Sequence, residues 1–144
     1  MFIGLDLGTS ALKALLVDED ERVVGTASVP LTVLRPRPGW SEQDPQDWRE
    51  AALAVVDELA SSHSAEIAAV RGIGLSGQMH GAVLLDGAAN VLRPCILWND
   101  TRAGDECREF QEAVPELGSL TGNLATPRGF CRVEATDCRT RKSR

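Results

Sequence analysis

The sequence predicts an α/β fold, and three observations carry that expectation. The chain opens on apolar runs of strand length separated by short polar turns. A helix with a strong start signal follows them, and after it come further short apolar runs and a second helical stretch. Unlike a strand-helix-strand dinucleotide unit, the chain leads with consecutive strands, and the turn joining the first two is not a G-x-G-x-x-G.

Phe2 to Leu7 and Ala11 to Val17 read as two strands joined by the tight turn Gly8-Thr9-Ser10. Asp18-Glu19-Asp20-Glu21 is an acidic turn, and Arg22 to Val33 reads as a third strand carried by Val23, Val24, Val29, Leu31 and Val33. Arg35-Pro36-Arg37-Pro38-Gly39 must be loop, because two prolines and a glycine prevent regular pairing. Asp44-Pro45-Gln46-Asp47 combines an N-cap acid, proline at the first helical position and a second acid in the first turn. Trp48, Ala52, Val55, Val56 and Leu59 continue at helical spacing to about Ser62, as core packing. Val70 to Leu75 and Ala82 to Leu85 are apolar runs on either side of Ser76-Gly77-Gln78-Met79-His80-Gly81. Asp86-Gly87 makes a turn, Leu92 to Trp98 gives a strand interrupted by Pro94, and Thr101 to about Val114 is helical in pattern with Thr101 as candidate cap. An antiparallel opening continued by crossover helices matches the ribonuclease-H-like half of the actin-type ATPase architecture, here an incomplete N-terminal domain.

Bulk properties narrow the function classes. A chain of 144 residues suits one domain that buries roughly two-thirds of its extended surface. Its 43% hydrophobic and 25% charged content is ordinary for a globular protein, and a net charge of −6 argues against a broad nucleic-acid footprint. No apolar run reaches membrane-spanning length, and with no basic or apolar leader region ahead of the first strand no signal peptide is expected. Cys95, Cys107, Cys131 and Cys138 form no C-x-x-C pair and no zinc spacing, so they are expected as free thiols filling space in a reducing cytoplasm.

Three stretches carry chemistry. Asp6 closes the first strand, Gly8 lets the backbone turn and approach a ligand, tolerating positive φ, and Thr9 and Ser10 add hydroxyls beside the turn's N–H groups. A carboxylate beside a phosphate-cradling turn is what Mg2+ requires; the alternative is a hairpin whose Asp6 hydrogen-bonds its own turn. In Gly77-Gln78-Met79-His80-Gly81 two glycines bracket an amide, a thioether and an imidazole, a set suited to the hydroxyls of a small polyol or sugar. His80 as a satisfied structural histidine is the alternative there. Trp98-Asn99-Asp100 with Arg102 offers an aromatic wall beside polar groups, unless Asn99 or Asp100 caps the following helix and Arg102 pairs with Glu106 at i+4. Glu42 and Asp44 are further groups that could approach a ligand.

Asp6-Leu7-Gly8-Thr9-Ser10, Trp40-Ser41-Glu42-Gln43-Asp44-Pro45, Ser76-Gly77-Gln78-Met79-His80-Gly81, Ile96-Leu97-Trp98-Asn99-Asp100 and Leu120-Thr121-Gly122-Asn123 together resemble the N-terminal portion of the xylulokinases, in the FGGY group of carbohydrate kinases. The resemblance covers about residues 1–127. It implies transfer of the ATP γ-phosphoryl group to the 5-hydroxyl of D-xylulose or a related pentulose, with Mg2+. By position, Asp6 would serve the metal and phosphoryl centre, and Gly8, Thr9 and Ser10 the ATP phosphates. Met79 and His80 would contact the sugar, with Gln78 and Trp98 lining the same pocket. An ATPase of the actin or Hsp70 type would share Asp6-Leu7-Gly8-Thr9 but not the Gly77–Gly81 loop.

The chain departs from that pattern after Pro127. From Arg128 to Arg144 there are six Lys/Arg against two Asp/Glu, and no period of 2 or 3.6. Three readings apply: a basic arm, an unstructured end, or the product of a reading-frame shift. The family's catalytic aspartate and the adenine-holding second domain lie beyond the part resembled here, so the resemblance implies a 144-residue chain without useful kinase activity. A non-catalytic sugar-binding or regulatory module of the same fold is the alternative function.

Overall fold

In the computed structural model of the chain, residues 1–122 are described. Asn123, Cys131, Cys138 and the expected tail from residue 128 lie outside them. Ten elements run in the order β1 (Phe2–Leu7), β2 (Ala11–Val17), β3 (Val23–Pro30), β4 (Glu42–Gln43), α1 (Pro45–Ser62), α2 (Ser64–Ala68), β5 (Gly72–Gly77), β6 (Cys95–Ile96), α3 (Gly104–Ala113) and α4 (Leu117–Thr121). A four-stranded sheet has the order β3-β2-β1-β5, and β4 pairs with β6 in a separate two-stranded sheet. The chain forms two compact units. The first comprises Met1–Val33, Gln43–Met79 and Val83–Cys95; the second comprises Leu34–Glu42, His80–Ala82 and the chain from Ile96 onward.

In the first unit the expected antiparallel opening is present: β1 pairs with β2 (Leu5 opposite Ala14, Leu7 opposite Leu12), and β2 pairs with β3. β3 ends at Pro30, short of the expected Val33; Leu31 N–H instead donates to the Ser10 carbonyl at 2.9 Å. β5 joins β1 in parallel, with Leu5 beside Leu75 and Asp6 beside Ser76. Alternation sends Ile3, Leu12, Ala14, Leu16 and Ala27 to one face of the sheet. There they meet Ala51, Val55 and Leu59, a row at four-residue spacing on one side of α1. Ala51 rather than Ala52 heads that row, and Trp48 is only partly buried. The helix begins as its sequence predicts: Asp44 caps it, accepting from Gln46 N–H at 2.9 Å, with Pro45 in the first turn.

The apolar run from Val70 to Leu75 supplies most of β5, with Ile73 58% and Leu75 80% exposed. The reason is topological: α1 packs on β2 and β3, whereas β5 lies at the opposite edge of the sheet. The strand expected over Leu92 to Trp98 shrinks to Cys95–Ile96, because Pro94 removes a donor and restricts the residue before it. The Asp86-Gly87 turn forms as expected, Asp86 Oδ1 accepting from Ala88 and Asn90 N–H at 2.8 Å each, with a bridge between Leu85 and Val91.

In the second unit, Leu34 and Glu42 bridge across the proline loop, and Ala82 bridges to Ile96. Helix α3 starts at Gly104 rather than Thr101 and has no side-chain cap. Thr101 is diverted: its hydroxyl donates to the Gly39 carbonyl at 3.1 Å, and its N–H does the same at 2.9 Å. Gly39 sits at φ 80°, and a Cβ there would lie 2.5 Å from Thr101 Oγ1, so this turn requires glycine.

Candidate functional site

The carboxyl ends of the parallel strands β1 and β5 lie side by side, and the Gln78 N–H continues their ladder by donating to the Leu7 carbonyl at 2.8 Å. Such strand ends are where open α/β sheets place ligands. Asp6 belongs to the register opposite Ile3, Leu5 and Leu7, so its side chain leaves the sheet on the face away from α1. It is exposed, and among the described residues its carboxylate has no hydrogen bond or ion pair. The hairpin alternative, in which Asp6 bonds its own turn, is therefore not realised. The turn is closed by backbone, with Gly8 N–H donating to the Ala11 carbonyl at 3.0 Å.

Gly8 does not use the positive φ that glycine tolerates. The missing Cβ matters for space instead, since one would stand a tight 3.1 Å from the Ala11 carbonyl oxygen. Thr9 Oγ1 donates to Gln78 Oε1 at 2.9 Å, Gln78 Nε2 donates to Gln43 Oε1 at 2.9 Å, and Gln43 Nε2 donates to the Thr9 carbonyl at 2.8 Å. The three residues thus close a ring. Trp48 Nε1 adds a second donor to Gln43 Oε1 at 3.1 Å. Gln43 is 1% exposed, and sequence reasoning missed it. The available signal was an amide immediately ahead of a strong N-cap with an indole five residues on. Gln78, expected to line a sugar pocket, commits its carbonyl oxygen and one N–H to this ring. Ser10 is exposed beside it, and Met79, 69% exposed, also belongs to the first unit.

His80 and Trp98 fall in the second unit. His80 is exposed and held at φ 67°, a left-handed conformation uncommon for a residue with a Cβ and frequent where a loop serves a ligand. Trp98 is partly buried.

The second unit also contains a dense ionic cluster. Asp100, 1% exposed, accepts from Ser41 N–H at 2.6 Å, from Arg102 N–H and Nε at 2.9 Å each, and from Arg102 Nη2 at 2.7 Å. Arg102 also donates to Glu42 Oε1 at 2.7 Å and lies 3.5 Å from the centre of the Trp40 ring, with Arg37 5.0 Å from the same ring. Burial alone would raise the Asp100 carboxyl, but its bonds to the Arg102 guanidinium and to two backbone N–H groups hold it below the usual carboxylate range. Burial likewise opposes the Arg102 charge, and the bonds to Asp100 and Glu42 overcome it, raising that group. The alternative in which Arg102 pairs with Glu106 at i+4 gives way to Asp100, two residues back, and Glu42, 60 residues away. Glu42 is paired with Arg102, and Asp44, which is exposed, caps α1. Ser41 Oγ and Asn99 Oδ1 are buried and have no hydrogen-bond partner among the described residues.

Cys95 and Cys107 are both buried; burial, with Glu106 nearby, pushes the Cys107 thiol up and away from reactivity. Among the described residues no cluster of three His, Cys, Asp or Glu is poised to hold a metal. A lone exposed carboxylate beside a phosphate-type turn fits only a hard cation that completes its shell with water and phosphate oxygens. Among the described residues no helix is long and apolar enough to cross a membrane.

Comparison with known proteins agrees with this arrangement. Residues 1–129 match the model of the FGGY family of carbohydrate kinases, N-terminal domain. The chain is 48% identical to the xylulose kinase of Escherichia coli (strain K12) over 130 residues, which is 90% of this chain and 26% of that protein. Among solved structures it is similar to a xyloylose kinase from Brucella ovis (54% identity, TM-score 0.84) and to a xylulose kinase from Rhodospirillum rubrum (41% identity, TM-score 0.82). Each of these two comparisons covers 88% of this chain and 26% of the other. The chain therefore spans about a quarter of the length of the relatives it matches.

Proposed function

The chain belongs to the FGGY family of carbohydrate kinases, and from that membership we propose that it forms the N-terminal part of a cytoplasmic pentulose kinase, transferring the ATP γ-phosphoryl group to the 5-hydroxyl of D-xylulose. The observation that carries this reading is the juxtaposition at the ends of β1 and β5, where the turn after Asp6 is tied to Gln78 by a closed ring of hydrogen bonds. Family members of known name support the sugar class, and the exposed, strained His80 supports a ligand-facing loop.

Phosphoryl transfer needs positioning and neutralised charge more than covalent help from the protein. In this reading Gly8, Thr9 and Ser10 offer backbone N–H groups and hydroxyls to phosphate oxygens, and the absence of a Cβ at Gly8 keeps the turn tight. Asp6 holds Mg2+, which when bound neutralises phosphate charge. Met79 and His80 contact the sugar, with Gln78 and Trp98 beside them. Gln78 acts chiefly by ordering the loop, since two of its polar positions face Thr9 and Gln43. The functional domain covers about residues 1–127, and the family match ending at residue 129 supports a change of character close to that point. Turnover by the 144-residue chain alone is not expected, because the family's general base lies outside the matched stretch.

Nuclear magnetic resonance titration of the 15N-labelled chain tests the reading. Mg·ADP should shift the amides of Gly8, Thr9 and Ser10, and D-xylulose those of Met79 and His80 with the Trp98 indole. Sugar shifts without nucleotide shifts would favour a non-catalytic sugar-binding module. Silence towards both ligands would refute the proposal.

A further inference from the structure

We propose that Gln43 is a positioning residue that locks the Gly8–Ser10 turn to the Gln78–Met79 segment, so that the two ligand-facing elements of the first unit are ordered as one. The role of the turn as a phosphate site rests on the function proposed above; the lock itself does not.

Gln43 bonds to both other members of the ring and also to α1. Its Oε1 accepts from Gln78 Nε2 at 2.9 Å and from Trp48 Nε1 at 3.1 Å, while its Nε2 donates to the Thr9 carbonyl at 2.8 Å. The orientation of the amide is thereby determined, because reversing it would place a donor against two donors and an acceptor against a carbonyl. The side chain is 1% exposed, so water cannot substitute for a lost partner at low cost. Thr9 in turn commits its hydroxyl proton to Gln78 Oε1, which sets the rotor of a residue in the turn. Trp48 anchors the assembly to the first turn of α1, which is itself capped by Asp44. An apolar side chain at position 43 would leave the Thr9 carbonyl, one Gln78 N–H and the Trp48 indole N–H without their partner. A carboxylate there would set two acceptors against each other at Thr9.

Amide hydrogen exchange on the 144-residue chain and its Gln43→Leu and Gln43→Glu variants tests this. Protection at Thr9–Ser10 and at Gln78–Met79 should fall together, by about tenfold or more, the scale of one net hydrogen bond lost in a local opening. Protection at Val55 and Leu59 in α1 should be unchanged. Unaltered exchange, loss in only one of the two segments, or equal loss throughout α1 would each overturn the proposal. A second arm adds Mg·ADP: shifts reaching Met79 in the parent chain should stop at Ser10 in both variants. If Mg·ADP leaves the parent chain unchanged, the functional reading fails while the exchange result still decides the role of Gln43.

Discussion

Replacing Asp100 by alanine exposes how much of the second unit depends on a single buried carboxylate. Asp100 is 1% exposed and accepts four hydrogen bonds, one from Ser41 N–H and three from Arg102. Without it, two backbone N–H groups lose their acceptor in a water-poor site, at about 1–3 kcal/mol each. The Arg102 guanidinium keeps only Glu42, 2.7 Å away, and its place over the Trp40 ring. Partial entry of water offsets some of this, so the expected loss is about 3–5 kcal/mol, the range for removing one partner of a buried pair. Urea unfolding followed by tryptophan fluorescence reads it, since Trp40 lies against Arg102. The Arg102→Ala change should cost a similar amount, and the double variant clearly less than the two together, because both act through one interaction. The pH dependence has a definite sign. The folded Asp100 carboxyl is held below its ordinary value, so its contribution is present above the unfolded carboxylate pKa and is lost as pH falls through the lowered folded value. Asp100→Asn should remove that acid-side loss. A cost for Asp100→Ala below about 1 kcal/mol, the level of an exposed pair, would refute the reasoning.

Three further outcomes are expected. Leu59, 1% exposed between α1 and the sheet, should cost about 2–5 kcal/mol on truncation to alanine, read as a lower urea midpoint at unchanged slope. Asp44→Ala removes the cap that accepts from Gln46 and should cost about 1 kcal/mol, visible as a lower thermal midpoint and weaker helical circular dichroism. Gly8→Ala sets a Cβ 3.1 Å from the Ala11 carbonyl and strains the bond closing the turn; Mg·ADP affinity measured by calorimetry should fall about tenfold while the unfolding midpoint moves little.

Much of the fold was legible because its signals are local. Alternating residues in Ala11–Val17 show which side chains share a face whatever the sheet becomes, and Asp44-Pro45 specifies a helix start from four consecutive residues. Burial and capping were not legible locally. The apolar run ending at Leu75 stays exposed because α1 covers the other edge of the sheet. Thr101 has the chemistry of a cap, yet its hydroxyl is taken by a carbonyl 62 residues away. In the candidate site the sequence singled out Gln78, Glu42 and Asp44 by residue type, but the partner each takes within the protein was not legible there.

By itself, then, the sequence determined the strand-turn-strand opening, the capped helix and the family to which its motifs belong, since each is written in neighbouring residues. Only the tertiary structure decided who holds whom: Gln43 with Gln78 across 35 residues, Arg102 with Glu42 across 60. A polar side chain satisfies itself with whatever donor or acceptor the packed chain brings within about 3 Å, and that choice is made only when distant segments meet.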